Sequence, residues 1–259
     1  MSIEDAVKAE LKKFRISGHK AAPADHRLNA MLVGAPTATV SGPVDLRQYL
    51  PPPRSQGNDE ACTSYAGAFL TSALVKIATG QSLEHSSEFV WGAERMAEGD
   101  MGQNTGCMSE DDLAVLVNDG DCLLATMPDQ LGNYNDCATP AAIAEAAKYK
   151  LTNPARVDYG GDFAGANSVL AATRPLLISI TVYQGLFDTL ADGLVDAGAL
   201  QGDLAGGHEI LEVGFRSDGR RIWYFGSWPG FGDNCACYVD PAVAQQLLTT
   251  CLTACPPAV

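Results

Sequence analysis

A cysteine and a glutamine six residues apart, Cys62 and Gln56, have the types and spacing that acyl-transfer chemistry uses. The residues between them are polar and predict a loop, whereas apolar residues recur at helical spacing after Cys62 as far as Gly80. Cys62 is therefore predicted at the N-terminus of a helix, where unpaired N–H groups and the helix dipole favour a thiolate. The amide of Gln56 can donate hydrogen bonds to a developing oxyanion. We interpret the two residues as a nucleophile and an oxyanion donor.

A histidine in the second half of the chain is the candidate partner of the thiol. His208 follows Gly206-Gly207 and opens a predicted strand, and the two glycines allow the backbone to approach a cleft closely. An imidazolium beside a thiolate lowers the pKa of the cysteine and then donates its proton to a leaving amine. His208 is therefore the predicted general acid and base.

Three stretches together resemble the papain-like cysteine peptidases. The run from Val44-Asp45-Leu46-Arg47 through Gln56-Gly57 to Cys62 is similar to the opening of that family, and closest to the bacterial branch, in which Thr follows the cysteine. The segment from Gly206 to Phe215 resembles the stretch around the family's histidine. The Cys–His separation falls within the roughly 130–150 residues expected of papain-type enzymes.

The resemblance implies a catalytic set of Cys62, His208 and Gln56, no metal and no cofactor. It also implies that Gly207 and Trp228 contact the substrate. The family carries Asn-Ser-Trp at its third site, with the Asn holding the imidazole, whereas this chain has Gly226-Ser227-Trp228. The histidine therefore lacks its side-chain partner, and either a water molecule or Ser227 is a candidate substitute. Glu209 replaces a small residue after the histidine, and a carboxylate pointing into the cleft would disfavour the thiolate.

The order of predicted elements gives the fold class and the domain boundaries. Residues 1–43 predict an N-terminal arm with an amphipathic helix, residues 44–135 a helical lobe, and residues 136–259 a β-rich lobe. In the helical lobe, Ser86 or Ser87 and Ser109 are predicted to cap helices. In the β-rich lobe, strands are predicted near 176–183, 206–215, 221–225 and 236–239, and a last helix from Pro241 to about Thr250. This order resembles the papain-like α+β fold, in which a helical lobe and an antiparallel β-sheet or barrel lobe enclose the active-site cleft, over residues 44–259.

Composition excludes two classes of partner. The 259 residues carry a formal net charge of −14, which repels nucleic acid phosphates and anionic membranes. No apolar run approaches the roughly 18–20 residues of a membrane span. The expected partner is a peptide or protein substrate, and nothing in the sequence fixes an oligomeric state.

Eight cysteines give conflicting indications about the compartment. The N-terminal segment lacks the features of a signal peptide, which indicates the cytoplasm, whereas so many cysteines are consistent with export by a leaderless route. Cys107 and Cys122 bracket a predicted helix and are candidates for a disulfide. The C-terminal cluster of Cys235, Cys237, Cys251 and Cys255 favours disulfides or free thiols over zinc, because its spacing is not a standard zinc pattern and no histidine is near.

Two functions therefore follow from the sequence. The first is a thiol peptidase or amide hydrolase that forms a thioester on Cys62, with transfer of the acyl group to an amine as a variant. The second is a catalytically impaired relative that binds a peptide or protein in the same cleft, which the changes at Gly226, Glu209 and Pro229 favour.

Overall fold

The computed structural model describes residues 27–30, 32–135, 138–190, 193–230 and 232–258. The predicted N-terminal helix, His19, His26, Cys137 and Phe231 lie outside these residues. Within the described residues, no helix is both long enough and apolar enough to cross a bilayer.

Three helices form the helical lobe, and their ends follow local sequence signals. Helix α1 spans Cys62–Thr79, α2 spans Ser87–Glu98 and α3 spans Ser109–Asn118. Gly80 and Gly99 end the first two helices in the left-handed conformation, as predicted. The Ser86 side chain caps α2 by accepting a hydrogen bond from the Phe89 N–H, which confirms that prediction.

The prediction that Ser109 caps the third helix is wrong. Met108 occupies the N-cap position of α3, and no side chain bonds to the free N–H groups there. The hydroxyl of Ser109 instead donates to the carboxylate of Glu209 in the other lobe. The capping pattern was present in the sequence, but a buried acceptor nearby competes for the serine hydroxyl.

The second half of the chain is built on an eight-stranded sheet with short helices on it. The strands are β1 Val44–Asp45, β2 Thr152–Arg156, β3 Leu176–Tyr183, β4 Leu194–Val195, β5 Leu204–Phe215, β6 Arg221–Tyr224, β7 Ala236–Val239 and β8 Leu248–Cys255. The helices are α4 Pro140–Ala146, α5 Ala164–Ala171, α6 Gln184–Leu190 and α7 Pro241–Leu247. The predicted strands near 176–183, 206–215, 221–225 and 236–239 all appear, with small differences at their ends.

The order of strands in the sheet is β2-β8-β3-β5-β6-β7-β4, and β1 pairs with β5 outside this path. All pairs are antiparallel except the parallel pair of β4 and β7. The predicted C-terminal helix is too long, because α7 ends at Leu247 and the chain continues directly as β8. Strand β8 lies between β2 and β3, so it is an interior strand of the sheet, next to the edge strand β2.

The contact between the lobes positions the candidate site. Helix α1 is buried along most of its length and packs against β5. Phe69 of α1 meets Tyr224 of β6 edge to face, with ring centroids 5.6 Å apart. Strand β1 belongs in sequence to the helical lobe but pairs with β5, with Val44 opposite Phe215. The strand that carries His208 therefore contacts elements from both lobes.

Candidate active site

Cys62 is the first residue of α1. Its side chain is nearly buried, with 6% exposed, and Ala61 at the N-cap position provides no side-chain acceptor. The first turn of this 18-residue helix therefore receives no hydrogen bond from an N-cap side chain. Such a helix end stabilises a nearby anion, which suits a thiolate at this position.

Gln56 lies in the loop before α1 and is tied to the β-rich lobe. Its backbone N–H donates to the Ser227 carbonyl over 3.1 Å, and the N–H of Arg54 donates to the Gly226 carbonyl over 3.0 Å. The side-chain Nε2 of Gln56 donates to the Asp59 carbonyl over 2.8 Å. An amide nitrogen has two hydrogens, so this bond leaves a second donor for another acceptor.

His208 lies on β5, opposite Ile180 of β3. Its ring stacks on the indole of Trp228, with centroids 3.7 Å apart and planes inclined by 14°. The side chain is 1% exposed, and neither ring nitrogen has a hydrogen-bond partner among the described residues. Burial lowers the pKa of His208 to about 3, because a buried imidazolium loses its hydration.

These contacts connect Gln56, Trp228 and His208, but they do not connect His208 to Cys62. The turn at 226–228 accepts a hydrogen bond from Gln56 and carries the indole that stacks on His208. Cys62 and His208 are not hydrogen-bonded, since both ring nitrogens of the histidine are without a partner. The described geometry is therefore a closed site in which the imidazole is neutral.

The two residues predicted to bind substrate are both buried. Trp228 has no exposed surface, and its indole covers the imidazole of His208. Gly207 pairs with Thr181 in the sheet next to the histidine. Their contact with a substrate stays a prediction.

Gly226 is the residue predicted to replace the family's asparagine, and the space for a side chain there is already filled. A Cβ atom built on Gly226 would lie 2.3 Å from Cε1 of Tyr224 and 2.6 Å from Cε2 of Phe69. The crevice beside it, lined also by Ala66 and Ser227, has no space that a water molecule can enter. Two aromatic rings therefore occupy the volume next to this turn, and the candidate water substitute has no room there.

The carboxylate of Glu209 points away from the site. Consecutive strand residues alternate faces, so Glu209 lies on the opposite side of β5 from His208. Its Oε2 accepts hydrogen bonds from Ser109 over 2.5 Å and from Ser179 over 2.6 Å. Burial nevertheless raises the pKa of Glu209 to about 7, with the two serine hydrogen bonds opposing this shift. Glu209 therefore places no carboxylate in the cleft, and the repulsion of the thiolate considered above does not arise from this residue.

Sequence reasoning missed the polar residues that support the site. The sequence predicts Asp59 only as part of a loop, yet it is 4% exposed and its carboxylate accepts a hydrogen bond from the Gly132 N–H. Ser179 lies in a predicted strand, and its hydroxyl also donates to Glu209. The position of an acidic residue three places before the predicted nucleophile was a sign that Asp59 could support the site. Nothing in the sequence marks Ser179 in this way.

The cysteines outside the site are mostly buried thiols. Cys107 and Cys122 are buried and do not form the disulfide considered above. In the C-terminal cluster, Cys237, Cys251 and Cys255 are likewise without a disulfide. Burial raises the pKa of Cys107, Cys122, Cys237 and Cys251, so these thiols resist ionisation. Among the described residues, no cluster of three or more His, Cys, Asp or Glu side chains could hold a metal ion.

Comparisons of sequence find no family model that matches the chain and no curated protein that is significantly similar. Comparison of structures finds many similar proteins, of which three are representative. Xylellain, a cysteine protease from Xylella fastidiosa, has a TM-score of 0.77 at 21% identity, over 93% of this chain and 97% of its own. Digestive procathepsin L 3 from Tenebrio molitor has a TM-score of 0.68 at 16% identity, over 98% of this chain and 79% of its own.

A third similar structure is a cysteine protease from Carica candamarcensis in complex with E-64. Its TM-score is 0.64 at 21% identity, over 83% of this chain and 99% of its own. At these identities the likeness concerns the fold, and it extends over 83–98% of this chain and 79–99% of the three other chains. The chain therefore has the papain-like fold of the cysteine proteases.

Proposed function

We propose that this protein is a thiol-dependent hydrolase of peptide or amide bonds, with Cys62 as nucleophile and His208 as general acid and base. The observation that carries the proposal is the chain of contacts from Gln56 through the turn at Ser227 to Trp228 and His208. This turn links the predicted oxyanion donor to the predicted proton donor, beside the helix that begins at Cys62. Similarity in fold to cysteine proteases supports the same reading.

The proposed reaction has two stages, acylation of Cys62 and hydrolysis of the acyl thioester, and the same three residues take part in both. The Cys62 thiolate attacks the carbonyl carbon, and the second Nε2 hydrogen of Gln56 with the Cys62 N–H stabilises the oxyanion. His208 protonates the departing amine and leaves an acyl thioester on the sulfur. A water molecule, deprotonated by His208, then releases the acid and restores the thiol. An amine in place of water would give acyl transfer with the same residues.

This chemistry needs a state more open than the one described. At a pKa of about 3, His208 is neutral throughout the physiological range and cannot form an ion pair with a thiolate. Hydration or contact with Cys62 would return its pKa towards the ordinary value of about 6.5. We infer that the free protein also samples a state in which the aromatic cover leaves the histidine, so that this contact forms before substrate binds.

Labelling of the thiol tests the proposal directly. Wild-type protein, Cys62→Ala and His208→Ala are treated with a limiting dose of iodoacetamide from pH 5 to 9, and intact masses are measured over time. We expect rapid addition of a single label to wild type at pH 5–6, none to Cys62→Ala, and slow addition to His208→Ala. Labelling of wild type that rises only above about pH 8, as for an ordinary thiol, would contradict a Cys–His pair.

A second function, binding of a peptide or protein without turnover, is favoured by one observation. Tyr224 and Phe69 fill the volume beside Gly226, so the histidine has no third partner there. A peptide library offered to wild type and to Cys62→Ser separates the two functions. Turnover by wild type that is lost in Cys62→Ser supports the hydrolase, whereas equal binding by both proteins without turnover supports the binder.

A further inference from the structure

Asp59 lies in the site, but the proposed reaction assigns it no role. It lies three residues after Gln56 and three before Cys62, within the loop that joins the predicted oxyanion donor to the nucleophile. Its carboxylate is 4% exposed, which is unusual for an acidic side chain unless it is held by partners. The partners it has connect this loop to a distant part of the helical lobe.

The backbone of Asp59 fixes the orientation of the Gln56 amide. Its carbonyl accepts the hydrogen bond from Nε2 of Gln56, and its N–H donates to the Gln56 carbonyl over 3.1 Å. If the amide were turned over, Oε1 would face the Asp59 carbonyl and the two oxygens would repel each other. The position of this one carbonyl therefore decides which side of the amide presents hydrogens.

The carboxylate of Asp59 in turn fixes its own backbone. Oδ2 accepts from the Gly132 N–H over 2.9 Å, and Oδ1 accepts from the Tyr134 hydroxyl over 3.2 Å. Both hydrogen bonds are partly buried, and together they hold the two oxygens of one carboxyl group. The loop at 132–134 thus acts as an external support for the 56–62 loop.

We propose that Asp59 is a positioning residue of the active site, which holds the amide of Gln56 in its oxyanion-binding orientation through the 132–134 loop. The inference rests on the proposed hydrolase function. Asp59 does not touch the substrate; it acts on the reaction only through Gln56.

Because other contacts also hold the loop, an experiment can distinguish the positioning of Gln56 from general support of the loop. Asn104 also holds the loop, since its Oδ1 accepts from the Glu60 N–H over 2.8 Å and its Nδ2 donates to the Asn58 carbonyl over 3.1 Å. With those two bonds intact, loss of the Asp59 carboxylate should release the amide of Gln56 without unfolding the loop. Asp59→Ala is therefore the informative variant. Thr139→Ala, which removes the cap of α4 in the other lobe, is a control for lost stability alone.

The experiment compares an amide substrate with an alkylating agent. Hydrolysis passes through an oxyanion, whereas iodoacetamide alkylates sulfur without forming one. In Asp59→Ala we expect kcat to fall about 10-fold to 100-fold, less than the roughly 100-fold to 1000-fold cost of removing an oxyanion donor outright, because the amide of Gln56 is still present. KM and the rate of Cys62 alkylation should stay within about twofold of wild type, as both should in Thr139→Ala. Equal losses in hydrolysis and alkylation would overturn the proposal.

A double variant tests whether Asp59 acts through Gln56. Gln56→Ala/Asp59→Ala should be no slower than Gln56→Ala, because the amide that Asp59 positions is already gone. Multiplying losses would mean that Asp59 supports the site in another way and would overturn the proposal.

A measurement without substrate distinguishes failure of this inference from failure of the proposed function. NMR of the Gln56 side-chain amide should show one Nε2 hydrogen protected from exchange in wild type and at least a 10-fold loss of that protection in Asp59→Ala. If protection is lost but wild type hydrolyses nothing, the proposed function fails while the positioning contact stands. If protection is unchanged, the positioning role fails whatever the activity.

Discussion

At the scale of single residues, Gly226 shows that a glycine at the predicted third position of the site need not leave a hole. A missing asparagine suggests an empty space in the sequence, and the sequence alone allows a water molecule to fill it. In the structure Tyr224 and Phe69 occupy that volume, and the Tyr224 hydroxyl donates to the Pro51 carbonyl over 3.0 Å. The two rings and the glycine therefore form one packed unit, and an asparagine side chain at position 226 would enter it only by displacing a ring.

Gly226→Asn should therefore destabilise the protein rather than activate it. The new Cβ would displace two buried rings, and overpacking of this kind costs about 1–3 kcal/mol in the free energy of unfolding. Urea-induced unfolding of wild type, Gly226→Ala and Gly226→Asn checks this, with both variants expected to be less stable. An asparagine variant as stable as wild type and faster in hydrolysis would show that the rings yield easily.

At the scale of elements, buried carboxyls connect the helices to the sheet. Glu209 of β5 accepts from Ser109 of α3 and Ser179 of β3, so one carboxyl links three elements. Asp112 of α3 is also buried, and its carboxylate lies where a Cβ on Gly67 of α1 would collide with it. Burial raises the pKa of Asp112 as it does that of Glu209, so neutral carboxyls are the stable form in this layer.

The pH dependence of stability should reflect Glu209. A carboxyl whose pKa rises from 4.5 to about 7 on folding stabilises the protein below pH 4.5, and that stability is lost as the pH rises towards 7. Relative to wild type, Glu209→Gln should therefore gain about 3 kcal/mol in the free energy of unfolding between pH 4.5 and 7.5. His208 has the opposite dependence, since its lowered pKa costs stability as the pH falls below 6.5, but it contributes equally to both proteins.

Urea-induced unfolding at pH 4.5, 5.5, 6.5 and 7.5 measures that difference. Asp188→Asn, which changes an exposed carboxylate on α6, serves as the matched control for removal of one acidic group. A parallel pH profile for Glu209→Gln and wild type would mean that the carboxyl of Glu209 titrates in the folded protein as it does in the unfolded chain.

The elements also show what sequence reasoning can and cannot reach here. Helices with a local cap or a terminal glycine, such as α1 and α2, were predicted because their signals lie within a few residues of each end. Strand β8 was missed because it follows α7 without a turn, and its Leu, Thr and Cys residues gain their preference from pairing with β2 and β3. In the same way Cys62 and His208 were recognisable from neighbours in sequence, whereas the bonds of Asp59 to Gly132 and Tyr134 depend on contacts more than 70 residues away.

At the scale of the whole molecule, the net charge of −14 should influence which substrates arrive. A strongly acidic protein attracts cationic ligands over distances that salt shortens to about 10 Å at 0.1 M. We expect kcat/KM for a Lys- and Arg-containing peptide to fall several-fold between 20 mM and 500 mM NaCl, conditions chosen to span weak and strong screening. A neutral peptide with the same cleavage site is the control and should be nearly unaffected. Equal salt dependence for both peptides would contradict steering by charge.

The interior position of β8 has a consequence for biosynthesis. Ribosomes make this strand after all the others described, yet it pairs with β2 on one side and β3 on the other. Until it emerges, β2 lacks its partner in the sheet and one edge of β3 is unpaired, and such edges can recruit foreign strands. The sheet therefore stays incomplete, and prone to aggregation at these edges, until its last strand is available.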